Sequence, residues 1–410
     1  MGNIVVAHLG ARMHYCVPEI FQQSGQLAKF YTDLYSGKLV LPALLTNKIT
    51  ALRKLQGRKS DRLPNKKIIH FPYLGFRYAY RLRKSQNVNE QLSSYIWAGK
   101  QFTSKIIRNI NWRETGVIYG YNTASLELFT IARQKGVQLV YEQTIAPLQI
   151  ERQLIEVEEE KFPDWIFNKV SYDNQLLQEM TAREREEMKL ADHIVSGSSF
   201  VKQAIGDFLP GMEEKCSVIP YGVRMGSTHP GFDESHNRPL RVLVAGTLGL
   251  RKGTPYVLQL AKRLGKEVTI RIVGNSQNVP EAIMKQICAY CDFRGLVPRS
   301  EMHEHYEWAD VFLLPSVCEG SATVTYEAMQ FGLPLVVTPN TGAFIEHEKE
   351  GIFVPVGDVE AMCNAIEKLK NVSYRRSLHM NVISGYKNLS DMAYSERLLT
   401  EMAKWGYLQA

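Results

Sequence analysis

Short apolar, β-branched runs recur along the chain, separated by stretches with helical spacing. Residues 3–9 form one such run, and with Gly10 behind them they read as a buried strand. The spacing after it predicts a helix over 17–30. Residues 116–119, 137–141, 191–196 and 217–220 read as further strands, with a helix over 124–134. An acidic helical stretch follows Pro147 and is broken by Pro163. A segment rich in Gly, Ser, Pro, His and Asn at 225–239 reads as a linker. Beyond it the alternation restarts with strands at 240–246, 268–274, 311–314 and 335–338, and Asp358 is placed to cap a helix running to Lys370. Strands alternating with helices make parallel sheets covered on both faces. The expected architecture is therefore α/β: two doubly wound, Rossmann-like parallel-sheet domains facing each other across a cleft. The boundaries expected are 1–224 for an N-terminal domain that binds an acceptor, 225–239 for the linker and 240–390 for a second domain. Residues 391–410 are expected to form a C-terminal helix packing back toward the first domain. In such sheets ligands sit outside the carboxyl ends of the strands.

Composition changes this picture little. At 410 residues, with 45% hydrophobic and 22% charged, the chain can fill two cores and is not mainly disordered. No run approaches the roughly 18 apolar residues of a membrane-spanning helix. The N-terminus has neither a basic stretch nor a cleavage signature, so a cytoplasmic location is expected. Six cysteines over this length give no disulfide framework, and the Cys288/Cys291 pair, with no second pair or His cluster, reads as structural.

Charge changes it more. Between Lys48 and Lys84 the chain carries Lys48, Arg53, Lys54, Arg58, Lys59, Arg62, Lys66, Lys67, Arg77, Arg81, Arg83 and Lys84 against Asp61 alone, which exceeds the net +7 of the whole protein. With Tyr73, Phe76, Tyr78 and Tyr80 interleaved, the segment fits an anionic lipid or acceptor surface, or a plain solvated face. No zinc finger or RNP motif accompanies it, so nucleic acid is not an expected partner. Peripheral attachment to the inner face of the membrane is the expectation that follows.

Candidate chemistry gathers in the second half. Residues 315–334 follow a strand and open a helix that Gly332 and Pro334 terminate. Glu319 falls in the loop and Glu327, eight residues on, in the helix. Between them Gly320, Ser321, Ala322, Thr323 and Val324 leave backbone N–H groups at a helix N-terminus, a setting for phosphate. Taken alone, Glu319 is equally a cap and Glu327 equally a surface residue. After the strand at 240–246, Gly246 and Thr247 lead to Arg251 and Lys252, two adjacent cations able to stabilise charge on a departing phosphate, or simply a surface pair. The loop is neither G-x-G-x-x-G nor a Walker loop, which argues against a dinucleotide oxidoreductase or P-loop ATPase.

On these residues the chain resembles the retaining glycosyltransferases of the GT-B fold, family 4 (glycosyl transferases group 1). The E-x7-E pattern falls on Glu319 and Glu327, followed by Ala328-Met329 and Gly332-Leu333-Pro334. Val273-Gly274-Asn275, the turn at 293–298 and the segment 218–223 also match. The likeness covers about a third of the chain, from Arg241 to Leu369. It implies that Glu327 holds the donor ribose, that Glu319 contacts the donor sugar, and that Lys252 neutralises the diphosphate. Amides around Ser321 to Val324 would cradle the phosphates, and the turns at Gly274 and Val297 would frame the base. Thr247 stands where the family usually has Arg, with Arg251 as the substitute. In the first half the resemblance is weaker: Gly10, Arg12 and His14 occupy the turn after the first strand, and Glu142 stands where many members carry His. The implied activity is transfer of a sugar from a nucleotide-diphosphate donor, UDP favoured over GDP, to a carbohydrate or lipid-linked acceptor hydroxyl. No cofactor other than that donor is implied, and with no Asp-x-Asp in the chain no metal site is expected. The alternatives are a sugar-nucleotide epimerase, a phosphorylase of the same fold, or a catalytically silent nucleotide-binding subunit.

Overall fold

The computed structural model describes residues 3–38, 58–167, 173–224, 231–234 and 238–408, so Lys48, Arg53 and Lys54 lie outside the described residues. A run covered on both faces satisfies its backbone by laddering with neighbours, and the apolar runs do so in two sheets. In the first lobe β1 (Ile4–His8), β2 (Leu27–Thr32), β3 (Ile68–His70), β4 (Val117–Tyr121), β5 (Gln138–Gln143), β6 (His193–Ser196) and β7 (Cys216–Val218) pair in the order β3-β2-β1-β4-β5-β6-β7. In the second, β8 (Leu240–Ala245), β9 (Val268–Val273), β10 (Asp292–Gly295), β11 (Val311–Leu314), β12 (Leu335–Val337) and β13 (Gly351–Phe353) pair in the order β10-β9-β8-β11-β12-β13. Every one of these pairings is parallel. The strand order therefore reverses between β1 and β4 and again between β8 and β11. At such points the flanking loops diverge and leave a crevice.

The first lobe's helices are α1 (Cys16–Gln23), α2 (Pro72–Lys84), α3 (Val88–Asn109), α4 (Leu126–Gln134), α5 (Leu148–Lys161), α6 (Asn174–Leu190) and α7 (Ser199–Phe208). The second lobe and C-terminal segment carry α8 (Thr254–Leu264), α9 (Glu281–Tyr290), α10 (Met302–Trp308), α11 (Thr323–Gln330), α12 (Val359–Lys370), α13 (Val372–Gly385) and α14 (Asp391–Lys404). Asp358 caps α12, accepting the Ala361 N–H at 2.8 Å. The helix expected over 17–30 is corrected: α1 stops at Gln23, Gly25 turns the chain at φ +75, and 27–32 becomes β2. Pairing with β1 decides this, because Phe30, Tyr31 and Thr32 are buried as strand residues. Among the described residues no helix is long and apolar enough to cross a membrane.

Two chain crossings join the lobes. The outgoing Val223 N–H donates to Leu389 O at 2.8 Å, and the returning Asp391 N–H donates to Val223 O at 3.1 Å. Helix α14 then lies on the first lobe: Arg397 donates to Pro220 O at 2.8 Å, Ser217 donates to Glu401 at 3.0 Å, and Trp405 stacks on His193 with centroids 4.3 Å apart. In the opposite direction, α5 leans on the second lobe, where Tyr256 donates to Glu158 and packs edge-on against Phe162 at 5.1 Å.

Candidate active site

The site grows from the carboxyl ends of β8 and β11, the two strands that flank the second lobe's reversal point. The Arg251 carbonyl accepts the Val317 N–H at 2.9 Å, which draws the loops after the two strands together. Glu319, 9% exposed, then accepts from both cations on one oxygen: Arg251 Nη1 at 2.5 Å and Lys252 Nζ at 2.7 Å. Arg251 Nη1 also donates to Cys318 O at 3.0 Å. Burial pulls the Lys252 ammonium below its ordinary value, with Glu319 opposing the shift. From α5 in the first lobe, Glu151 approaches Arg251 Nε at 4.0 Å, its own carboxyl pushed up by burial.

Beside this cluster the neighbouring strand ends lie flush. A Cβ on Gly274 would sit 1.7 Å from the Gly246 carbonyl oxygen, so only glycine lets the turns after β8 and β9 touch. Gly274 N–H donates to Gly295 O at 2.8 Å, extending the ledge to β10, and Val297 beyond it is half-buried against the core. Thr247 is exposed on the loop after β8.

The segment 320–324 is more enclosed than its composition suggests. Gly320 abuts the first lobe, where a Cβ would meet Thr144 O at 1.9 Å, and its carbonyl accepts Ser198 Oγ at 2.5 Å. Ser321 and Ala322 are buried, and the Ala322 N–H donates to Thr341 O at 3.1 Å. That amide is spent inside the protein, so the cradle expected over Ser321 to Val324 is one donor short. Thr323 and Val324 are half-buried at the start of α11.

One turn along α11, Glu327 accepts from Arg299 Nη2 at 2.9 Å and from Tyr306 Oη at 3.0 Å. Arg299 Nη1 lies 3.0 Å from His14 Nε2 of the first lobe. A guanidinium only donates, so His14 Nε2 is the acceptor in this contact. His14 reaches across because Met13, His14 and Tyr15 all adopt left-handed backbone angles, φ 47, 49 and 67. A cleft of about 470 Å³ opens between the lobes here, lined by His14, Glu19 and Arg224 on one side and Arg299, Thr323 and Glu327 on the other.

The remaining first-lobe candidates are placed less directly. Gly10 is left-handed, φ +107, and its N–H donates to the buried Asp33 at 3.0 Å. The Arg12 side chain lies outside the described residues. Glu142 is held inside the lobe at 2% exposure, accepting from Tyr119 at 2.6 Å and Tyr221 at 2.8 Å, and it does not line the cleft. Arg299, Tyr306, Glu19 and Arg224 carry no sequence motif, and only the fold brings them to the cleft. Among the described residues no three His, Cys, Asp or Glu side chains converge as a metal site.

Residues 239–371 match the family described as Glycosyl transferases group 1. The amylovoran biosynthesis glycosyltransferase AmsK of Erwinia amylovora is 28% identical over 173 residues, 38% of this chain and 42% of that protein. The putative colanic acid biosynthesis glycosyltransferase WcaL of Escherichia coli is 29% identical over 168 residues, 37% and 41% of the two chains. The chain thus spans about two fifths of the length of these relatives. Among solved structures, the lipopolysaccharide outer core galactosyltransferase WaaB aligns over 100% of both chains with TM-score 0.62 and 12% identity. Anabaena HepE in complex with UDP and glucose aligns over 98% of this chain and 100% of its own with TM-score 0.60 and 14% identity. The two facing parallel sheets are the GT-B fold. Within it, residues 239–371 are the part that matches the group 1 glycosyltransferase family.

Proposed function

We propose that the protein is a retaining glycosyltransferase. It moves a sugar from a nucleotide-diphosphate donor, UDP favoured over GDP, to an acceptor hydroxyl in surface polysaccharide or glycolipid synthesis at the cytoplasmic face of the membrane. One observation carries the reading: Arg251 and Lys252 share a single carboxylate oxygen of Glu319 at the reversal point of the second sheet. Helix α11 runs from that cluster to Glu327 in the interlobe cleft. The neighbour HepE, which holds UDP and glucose, supports the donor class.

In this reaction the bond from the anomeric carbon to the leaving phosphate oxygen breaks, and a bond to the acceptor oxygen forms on the same face. The acceptor's proton passes to the departing diphosphate. Positive charge grows on the sugar and negative charge on the phosphates, so pre-placed cations lower the barrier. Lys252 and Arg251 supply them, and Glu319 orients them and faces the sugar. Glu327 accepts from the ribose diol, with Arg299 and Tyr306 fixing its oxygens until the donor enters. The electrostatic work a divalent ion would do falls to Lys252, and activity is expected to persist in EDTA.

The test is a nucleotide-sugar panel read by thermal shift with EDTA present, followed by turnover assays with the donor that stabilises most. A stabilising UDP-sugar whose sugar reaches an acceptor with its anomeric configuration kept is the expected result. Donor consumption without an acceptor points to an epimerase or hydrolase, and dependence on free phosphate to a phosphorylase. Tight binding without turnover points to a silent subunit.

A further inference from the structure

Helix α2 is seated on the first lobe through Leu74 and Gly75, its buried residues. On the other side Tyr73, Phe76 and Tyr80 are 69%, 47% and 63% exposed, an uncommon outlay of aromatic surface on one short helix. At about 100° per residue these three fall with Arg77, Arg83 and Lys84 inside an arc of about 120°. The aromatics take the middle of the arc, Arg83 one margin, and Arg77 and Lys84 the other. All three cations are exposed, and no acidic residue occurs between Asp61 and Glu90. The Arg77 guanidinium is steered by the rings it covers, 5.6 Å from the Tyr73 centroid and 5.2 Å from that of Trp97.

We propose that α2 docks the protein on an anionic lipid bilayer. Tyr73, Phe76 and Tyr80 enter the boundary between headgroups and acyl chains, and Arg77, Arg83 and Lys84 meet the lipid phosphates. Two tyrosines, apolar in the ring and polar at the tip, suit that boundary better than a dry protein core. A second copy of this chain is a poor occupant, because a two-fold contact sets the patch against itself and like charge against like. The helix begins at the carboxyl end of β3, the side of the first sheet that faces the cleft. Docking would therefore bring the cleft rim to the membrane, where a lipid-linked acceptor resides. That consequence rests on the transferase reading, whereas binding to lipid does not.

The experiment is co-sedimentation of the full chain with phosphatidylcholine vesicles, with or without phosphatidylglycerol. The wild type is expected to pellet with phosphatidylglycerol vesicles at low salt and to be released as salt rises. Joint substitution Arg77→Gln, Arg83→Gln and Lys84→Gln should lower the partition coefficient on the order of 100-fold, at about 1 kcal/mol per charge. The set Tyr73→Ser, Phe76→Ser and Tyr80→Ser should lower it at least ~tenfold and leave binding that salt removes fully. Both sets should keep the wild-type melting temperature and donor thermal shift, which separates failure here from failure of the donor site. Absence of wild-type binding to phosphatidylglycerol vesicles would overturn the proposal, as would variants that bind as well as the wild type. Preferential capture of an oligonucleotide, or a dimer that the serine set dissolves, would also overturn it.

Discussion

The two lobes carry their charge at the site in different ways: the Glu319 cluster lies beside the cleft and outside its lining, whereas Glu19 lines it. On the second lobe one carboxylate holds two cations at 2.5 and 2.7 Å with all three groups half-buried or better. On the first lobe Glu19 has Arg62 and Arg224 at 3.6 Å each, and Arg62 has Asp391 at the same distance. Those guanidiniums are 52% and 66% exposed, and among the described residues no donor hydrogen-bonds to Glu19 Oε1. Short buried pairs set geometry in advance, which chemistry at a diphosphate needs. Long exposed pairs rearrange at little cost, which fits a wall that adapts to an acceptor. On the proposed reading, the donor side is built and the acceptor side is adjustable.

Substitutions that attack the built side should have the largest effects. Lys252→Ala removes the cation nearest the expected leaving group and should lower kcat by about 10²–10³-fold with the fold intact, measured by steady-state turnover and circular dichroism. Glu319→Gln leaves Arg251 and Lys252 adjacent without their shared carboxylate, Glu151 approaching Arg251 only at 4.0 Å. It should cut activity comparably and also destabilise the protein by about 3 kcal/mol in denaturant melts. Glu327→Ala removes an acceptor of two hydrogen bonds and should weaken donor binding by about 10- to 100-fold in calorimetry, with a smaller change in kcat.

A pH experiment probes the scaffold behind the adjustable wall. Glu184 and Glu187 of α6 accept backbone N–H groups at the starts of α5 and α4, from Leu148 at 2.9 Å and from Leu126 at 3.0 Å. Burial pushes both carboxyls from 4.5 up to about 7. Between those values the folded chain holds protons that the unfolded chain has released. Their contribution is thus fully present below pH ~4.5 and is lost as pH rises through ~7, at about 1.4 kcal/mol per pH unit and group where steepest. Glu184→Gln with Glu187→Gln should flatten that slope in urea melts, and an unchanged slope would disprove the assignment. Arg62→Ala should do least, changing stability by less than about 1 kcal/mol and sparing donor affinity. A large loss there would mean that the first-lobe wall is as fixed as the second.

The same contrast governs what was legible in the amino-acid order. Strand runs showed through because buried parallel strands are continuously apolar, and the loop 319–327 showed through because its donors and carboxylates are close in sequence. The helix boundary at Gln23 was not legible, since the residues beyond it have helical spacing and only pairing with β1 makes them a strand. Helix α2 was hidden inside a stretch whose charge dominated its reading, and α3 follows directly after it. Asn87 and Glu90 did carry a capping signal there: Asn87 accepts the Glu90 N–H at 3.0 Å and Glu90 accepts the Gln86 N–H at 2.8 Å. The His14–Arg299 contact joins residues 285 apart and had no local signature at all. Glu142, which stands where many members of the resembled family carry His, is enclosed by two tyrosines, a burial that its position in the sequence does not reveal.

The central claim is that Lys252, oriented by Glu319, binds the diphosphate of a nucleotide donor. Calorimetric titration of UDP into the wild type and Lys252→Ala, with EDTA in both cells, tests it most directly. Saturable wild-type binding that weakens at least ~tenfold in the variant is the expected result. Equal affinity in the two proteins would contradict it.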